Sequence, residues 1–343
     1  MHVAHVAPTA FGVDGLFGGG ERYPWELAGA ISRHVPCRLV TYGSASRRER
    51  GADGLELVVL RAWRRVGGHP AHPVGPGLGD ALDGVDVVHA HQLHSRTTRL
   101  ALRAATKRGQ GRAVTDHGLI GPDDPRRWEQ IDRFLAVSRY SAEAVNAPRE
   151  RTEVVFGGAD PARFAPNPSE RRRGILFVGR LTPHKGLDRL IRALPPGAEL
   201  TLAGTGGHDP TPPASGYVEK LHRLAAAADA RVVFTGRVSE DELPVLMRRA
   251  AVLVLPSVAT TCYGTPVIAS RIGGVSEIIP DGATGLLVEP GDLAALRDGL
   301  EDLLADHRLR HDLGRRAREL ASERFTWDAC ALRCLEVYEA LLA

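Results

Sequence analysis

Arg180 and Lys185 are the residues around which a chemistry can first be built. They share one short loop. Before it runs the apolar stretch Ile175 to Val178; after it Leu187, Leu190, Ile191 and Leu194 recur at helical spacing. Gly179 ends the strand. A loop of this kind lies at the carboxyl end of a parallel strand, where open α/β sheets take their ligands. Two cations beside a helix N-terminus suit an anion, and a diphosphate best. The chain holds 44 basic residues, yet only Lys107, Lys185 and Lys220 are lysines. A sequence that otherwise chooses arginine places a lysine here.

Three further segments offer backbone to a phosphate. Gly18-Gly19-Gly20 precedes a helix, so its N–H groups can approach an anion. Leu202-Ala-Gly204-Thr-Gly206 is a strand ending in residues small enough to admit a ligand. Val233-Phe-Thr-Gly-Arg237-Val238-Ser-Glu240 is another strand end, with Ser239 as the cap of the next helix. None reads G-x-G-x-x-G, which argues against a nicotinamide enzyme. His89, His91 and His94 could suggest a metal by number alone. Alternation at a strand end makes His89 and His91 structural or ligand-facing instead, and no metal is expected.

These loops must be held by elements, and the elements alternate. In the first half, strands are predicted at Val3 to Ala7, Cys37 to Tyr42, Leu55 to Leu60, Val85 to His89, Arg112 to Asp116, Phe134 to Val137 and Val154 to Phe156. Helices fall between them, one capped by Ser138. Val66 to Gly79 is rich in Gly and Pro and reads as a mobile loop. Pro161 to Arg173 reads as a linker with Arg171-Arg172-Arg173 as its solvated face. The second half repeats the style, with strands from Ile175, Glu199, Val232, Val252, Pro266 and Gly285 and a final helix from Trp327 to Leu342. Strand–helix alternation predicts doubly wound parallel sheets. Domains are expected over residues 1–165 and 166–325, followed by the final helix over 326–343.

Composition sets outer limits. At 343 residues two cores are affordable, and 43% hydrophobic with 25% charged residues is ordinary for a globular protein. A net charge of +3 is too small to argue for nucleic acid. The first residues read as a strand rather than a signal peptide, and no run reaches the length of a membrane span. A cytoplasmic protein is expected. Cys37, Cys262, Cys330 and Cys334 form no CxxC pair and read as reduced thiols.

Together the motifs resemble the retaining GT-B glycosyltransferases of family 4. The matching residues are Gly19-Gly20, Asp86-Val-Val-His-Ala-His91, Phe134-Leu-Ala-Val-Ser138, Gly157-Gly158-x-Asp160-Pro161, Gly179-Arg180 with Lys185-Gly186, Gly204-x-Gly206, Gly236-x-Val238, Pro266-Val-Ile-Ala-Ser270 with Gly273-Gly274 and Glu277, and Asp281-Gly-x-x-Gly285. They span nearly the whole chain. The resemblance implies two Rossmann-like domains facing each other across a cleft. The second would hold a nucleoside-diphosphate sugar, UDP-linked by family frequency, and the first an acceptor. It implies no cofactor and no metal, because Arg180 and Lys185 neutralise the leaving diphosphate. Gly18, Gly19, Gly20, Gly179, Gly204, Gly206, Arg237 and Val238 would line the donor site. His117, in Thr115-Asp-His-Gly118, would position the transferred sugar.

The resemblance fails at one place. The family carries two glutamates separated by seven residues between two strands of the second domain, and here Leu253-Val-Leu-Pro-Ser257 runs almost directly into Thr265-Pro-Val-Ile-Ala-Ser270. Parallel neighbours need a crossover of about a dozen residues. The seven residues 258–264 could span about 25 Å extended but only about 10 Å as a helix. Either a segment is missing from the sequence or the chain carries a deletion; in the second case Thr260, Thr261, Cys262 and Tyr263 would border the sugar pocket and turnover would be crippled. A nucleotide-binding protein without transferase activity is therefore the competing expectation. The acceptor is left open among natural products, saccharides and lipids. Arg47 to Arg50 with Arg61, Arg64 and Arg65 permits a weak peripheral membrane contact, though a solvated face is the simpler reading.

Overall fold

The protein is described by a computed structural model covering residues 1–16, 18–117, 125–167, 169–206, 216–255 and 264–343. The chain divides into two compact units, Met1–Gly158 with Thr326–Ala343, and Ala159–Phe325.

The first unit contains β1 (Val3–Val6), α1 (Gly19–Ser32), β2 (Cys37–Gly43), β3 (Arg47–Arg50), β4 (Glu56–Arg61), β5 (Arg64–Arg65), β6 (Pro73–Val74), α2 (Leu78–Ala81), β7 (Val87–His91), α3 (Arg96–Arg108), β8 (Gly111–Thr115), β9 (Arg133–Ala136), α4 (Arg139–Ala144) and β10 (Thr152–Val154). Eight strands form one sheet in the order β10-β9-β8-β7-β1-β2-β4-β3, parallel except for β3 at the edge. Strand alternation sorts the side chains. Val3 and Val87 face one core, with Leu27 and Ile31 of α1 and Tyr338 of the final helix (Trp327–Leu342). Ala4, Val88 and Ala90 face the other, with Leu102 of α3. Ser138 caps α4, as the sequence suggested, and Ser141 reciprocates the bond.

The second unit contains β11 (Arg173–Val178), α5 (Leu187–Ala193), β12 (Glu199–Ala203), α6 (Tyr217–Ala227), β13 (Arg231–Gly236), α7 (Glu242–Arg249), β14 (Ala250–Leu255), β15 (Val267–Ser270), α8 (Val275–Ile278), β16 (Gly285–Val288), α9 (Leu293–Ala305) and α10 (His307–Arg324). Its sheet is parallel throughout, in the order β13-β12-β11-β14-β15-β16. Phe177, Leu190, Leu202, Leu300 and Leu313 fill one continuous core.

Three expectations change. The unit boundary falls after Gly158 rather than after residue 165, because Ala159 donates to the Phe325 carbonyl and Arg318 reaches the Phe164 carbonyl. Arg171 and Arg173 are exposed, as a solvated face requires, with Arg173 opening β11 opposite Ala250, but Arg172 departs from it: half-buried, it donates to Gly264 O and to Thr265 Oγ1. Val66 to Gly79 is ordered into a turn, a short hairpin strand and the start of α2. Arg47 to Arg50, read as a solvated face or a weak membrane contact, is an exposed edge strand.

The short connection also has a structural outcome. β14 and β15 are parallel neighbours, with Leu253 opposite Val267, joined by residues 256–266 alone. The return is pinned: Thr265 Oγ1 donates to the Met247 carbonyl, and a Cβ on Gly314 of α10 would meet Gly264 O at 2.2 Å. Thr260, Thr261, Cys262 and Tyr263 lie outside the described residues.

Candidate active site

In the second unit the carboxyl ends of three adjacent strands are built of glycine. Gly179 follows β11, Gly204 follows β12 and Gly236 closes β13, with φ of 151°, 150° and 69°. Gly204 N donates to Gly236 O at 2.8 Å and Gly179 N to Ala203 O at 2.9 Å. A Cβ on Gly204 would lie 1.9 Å from Gly179 O. Only glycine permits this approach and this backbone together. Gly206 packs toward Val218, and Leu181 N ties the β11 loop to Thr205 O at 2.9 Å.

On this glycine platform stand Arg180, exposed, and Lys185, half-buried at the end of the turn Pro183–Lys185. Burial pushes the Lys185 ammonium below its ordinary range, and the Arg180 guanidinium pushes it the same way. Among the described residues neither side chain makes a hydrogen bond or ion pair. Like charges held together without a carboxylate create a local potential that favours an anion. Arg237 is exposed and Val238 half-buried just past β13, at the same edge of the sheet. Ser239 accepts from Glu242 N, and Glu242 in turn accepts from Ser239 N, a capping box that starts α7.

The first unit assembles a different cluster. Register places His5 opposite His89 and His91 opposite Thr115, and period two puts all three imidazoles on the Val3 face, beneath α1 and the final helix. His89 Nδ1 lies 2.5 Å from Tyr338 Oη and its Nε2 2.8 Å from Thr115 Oγ1. His5 Nδ1 is 2.9 Å from His91 Nε2, and His91 Nδ1 is 3.1 Å from His117 Nε2. Burial pushes His5 and His117 down to about 3. It pushes His89 and His91 well below 6.5 as well, assisted by the neighbouring imidazoles. A neutral His91 has one N–H to give, so it donates to one neighbour and accepts from the other. The tautomer of His117 is thereby tied to those of His91 and His5. His117 also lies against Tyr23, ring centroids 4.4 Å apart.

His94 is not part of this cluster. The ligand atoms of His5, His89 and His91 fall within 4.8 Å of one another. Both nitrogens of His89 and both of His91 are already hydrogen-bonded, however, so a metal would have to displace those bonds.

Gly18, Gly19 and Gly20 begin α1 as expected, with Gly18 at the N-cap and no side chain capping the helix. A Cβ on Gly19 would meet nothing within 4 Å, so the backbone there is open. The Glu21 carboxylate folds back over Gly18, within 2.2 Å of where its Cβ would be. Gln92 was not anticipated. It turns the chain after β7 with φ of 67°, is 7% exposed, and points Nε2 toward Gly20; its Oε1 is buried without a partner. A left-handed glutamine leaves no trace in sequence pattern. Neither do the roles of His5 and Tyr338, the latter meeting its histidine across 249 positions.

Two parallel-sheet α/β units with ligand-type loops at their strand ends define the GT-B class. HepE from Anabaena, solved in complex with UDP, superposes with a TM-score of 0.77 over 99% of this chain and 100% of that one, at 18% identity. The chain belongs to the group 1 glycosyltransferases. Residues 159–320 match the family described as glycosyl transferases group 1, and residues 17–163 match glycosyltransferase family 4. A GDP-mannose-dependent alpha-(1-6)-phosphatidylinositol monomannoside mannosyltransferase of Mycobacterium tuberculosis is 30% identical over 371 residues, covering 92% of this chain and 93% of that protein. A D-inositol 3-phosphate glycosyltransferase of Salinispora arenicola is 29% identical, covering 92% and 76% respectively. The protein is thus a sugar-transferring enzyme. Among the described residues no helix is long and apolar enough to cross a membrane.

Proposed function

We propose that the protein transfers a sugar, with retention and without a metal, from a nucleoside-diphosphate sugar held by the second unit to an acceptor held by the first. One observation carries this: Arg180 and Lys185 stand side by side over glycine backbone with no anionic partner among the described residues. Breaking the anomeric carbon–oxygen bond leaves negative charge on the departing diphosphate. Two fixed cations in a partly desolvated site offset that charge where it develops. His117 is held neutral, so it serves to position the sugar rather than to shuttle a proton.

UDP is the base expected, and GDP is the comparison, since the mycobacterial relative is named for GDP-mannose. The test is calorimetric titration with each nucleotide, with and without EDTA, on the intact protein and on Lys185→Ala. Binding of one nucleotide that survives EDTA and collapses in the variant supports the site. Loss of binding with EDTA would overturn metal independence. The eleven-residue return from β14 to β15 favours a second reading, nucleotide binding without turnover, because it is shorter than an ordinary crossover and contains no glutamate. Nucleotide binding without release of sugar from any UDP- or GDP-sugar would select that reading.

A further inference from the structure

The strand order of the first unit fixes where its ligand crevice lies. β1 has β2 on one side and β7 on the other, so the chain leaves β1 in one direction and returns to it from the other. A doubly wound sheet takes its ligand at such a switch point, outside the carboxyl ends of the two strands. Two features flank it here. Gly18 to Gly20, after β1, open α1, and Gln92 follows β7 directly. Gln92 carries two unfavourable features at once. Its backbone is left-handed, with φ of 67°, although the residue is not glycine. Its side chain is 7% exposed, and among the described residues neither end of its amide is hydrogen-bonded, with Oε1 fully buried. Turning the amide over would exchange the two ends and leave the same deficit.

The backbone holds this conformation firmly. Gln92 N donates to Thr115 O at 2.9 Å, and the Gln92 carbonyl accepts from Thr98 Oγ1 at 2.8 Å and from Ser95 N at 2.9 Å. Strain fixed in place beside a buried amide with nothing to bind becomes favourable once a ligand completes it. The amide is aimed at the start of α1: a Cβ on Gly20 would lie 3.8 Å from Nε2. A bare helix N-terminus favours an anion, but Glu21 opposes one. Its carboxylate folds over Gly18, and its Oε1 accepts from Thr9 Oγ1 at 3.2 Å. The neighbouring cation, Arg22, is paired with Glu26 at 3.1 Å. The crevice thus sets a carboxylate and an amide beside the open backbone of Gly19. Acceptors and donors side by side match hydroxyl groups, each of which both donates and accepts, whereas a phosphate would meet the carboxylate.

We propose that Gln92, with Glu21, binds adjacent hydroxyl groups of an uncharged sugar ring and so selects the substrate. The surroundings agree. Gln92 follows His91, whose Nδ1 is 3.1 Å from His117 Nε2, and Tyr23, on the first turns of α1, lies against the His117 ring. The ring belongs either to the sugar being transferred or to an acceptor, and the two present the same hydroxyl chemistry. The inference rests on the sugar-transfer reading, in which His117 positions the sugar.

The test uses the full chain with Gln92→Asn and Glu21→Gln. Asparagine is at ease in the left-handed region and withdraws the amide by one methylene, so Gln92→Asn should fold, and circular dichroism checks this. Calorimetry compares UDP-glucose with UDP, and GDP-mannose with GDP. If the ring is the transferred sugar, each variant should weaken the nucleotide sugar about tenfold, the scale of one hydrogen bond, and leave the bare nucleotide within about twofold. If the ring belongs to an acceptor, nucleotide-sugar affinity should hold, and saturation-transfer NMR with free glucose and mannose should show a contact that both variants abolish. Sugar binding that is unchanged in Gln92→Asn by both measurements, or absent from both, would overturn the proposal. So would tighter sugar binding in Glu21→Gln, which is the response of an anion site. A failed donor reading looks different: bare nucleotides would not bind the wild-type protein, or would bind Lys185→Ala equally well, while the free-sugar measurement still decides the role of Gln92.

Discussion

At the carboxyl ends of β11, β12 and β13 the chain gathers glycine backbone and two cations, Arg180 and Lys185, that meet no counter-ion among the described residues. At the carboxyl ends of β1, β7 and β8 it gathers imidazoles, packed against tyrosines and held neutral. Both clusters occupy the position where a parallel sheet offers its loops to a ligand. They differ in what they ask of the protein. The glycine platform is open, and among the described residues the charge of Arg180 and Lys185 is uncompensated. The histidine cluster is closed, and its hydrogen bonds are internal. One region leaves cations open to a ligand, and the other ties the orientation of His117, at its end, to a chain of imidazoles.

The largest expected effect lies in the first region. Lys185→Ala should lower kcat/KM by about 10²- to 10³-fold, the scale of removing one preorganised group from a developing charge. Arg180→Ala should fall in the same range, and thermal stability should be unchanged in both. Steady-state assays with the nucleotide sugar that binds check this. A Lys185→Ala enzyme with wild-type turnover would end the contrast between the two regions.

The platform itself is tested by Gly204→Ala. Its Cβ would meet Gly179 O at 1.9 Å, so the backbone of two strand ends has to separate. A destabilisation of about 3 kcal/mol is expected from such overpacking at a left-handed position. Gly19→Ala, where nothing lies within 4 Å, should cost little. Chemical denaturation of the two variants separates a structural glycine from an open one; similar midpoints would contradict the close packing of the strand ends.

Acid should injure the histidine region first. The folded pKa values of His5 and His117 lie near 3, and those of His89 and His91 are also depressed. Above about pH 6.5 both folded and unfolded imidazoles are neutral and contribute nothing. As pH falls below 6.5 the unfolded chain takes up protons that the native cluster refuses, and stability is lost until the folded values are reached. Each imidazole accounts for about 1.4 kcal/mol per pH unit across that window. All four tryptophans, Trp25, Trp63, Trp128 and Trp327, lie in the first unit, so their fluorescence reports it alone. Urea midpoints by fluorescence should drop steeply from pH 6.5 to 5; a flat profile would show that the cluster already carries protons.

The two regions were not equally legible in the sequence. The glycine platform could be read almost residue by residue, because strand ends, glycines and the Arg180–Lys185 loop are contiguous, local signals. The parallel sheets followed from alternation for the same reason. The histidine cluster could be read only in part. His89, His91 and His117 stood out by type, but His94 was grouped with them wrongly and His5 was missed. What unites them is register, β1 against β7 and β7 against β8, and single-chain periodicity does not contain register. Arg172 failed differently: a charge run reads as solvent-exposed until a distant carbonyl, that of Gly264, is brought to it.

The smallest effect sharpens the reading of Lys185 by its neighbour on the same unit. Lys220 pairs with Asp188 at 2.7 Å, with Lys220 42% exposed. Burial alone would raise the Asp188 carboxyl; hydrogen bonds from Lys220 and Tyr217 outweigh it and hold the group low. The stabilisation is present above the ordinary carboxylate range and is lost as pH falls through the lowered value. An exposed pair of this kind contributes under about 1 kcal/mol. Lys220→Ala should therefore shift the melting temperature by at most a few degrees and leave nucleotide affinity and turnover intact. Lys185 has the opposite signature, because it has no carboxylate to lose among the described residues and an incoming diphosphate to gain. If Lys220→Ala impaired turnover as much as Lys185→Ala, the effect would come from loosening α5 and α6, and the argument from an unpaired cation would lose its control.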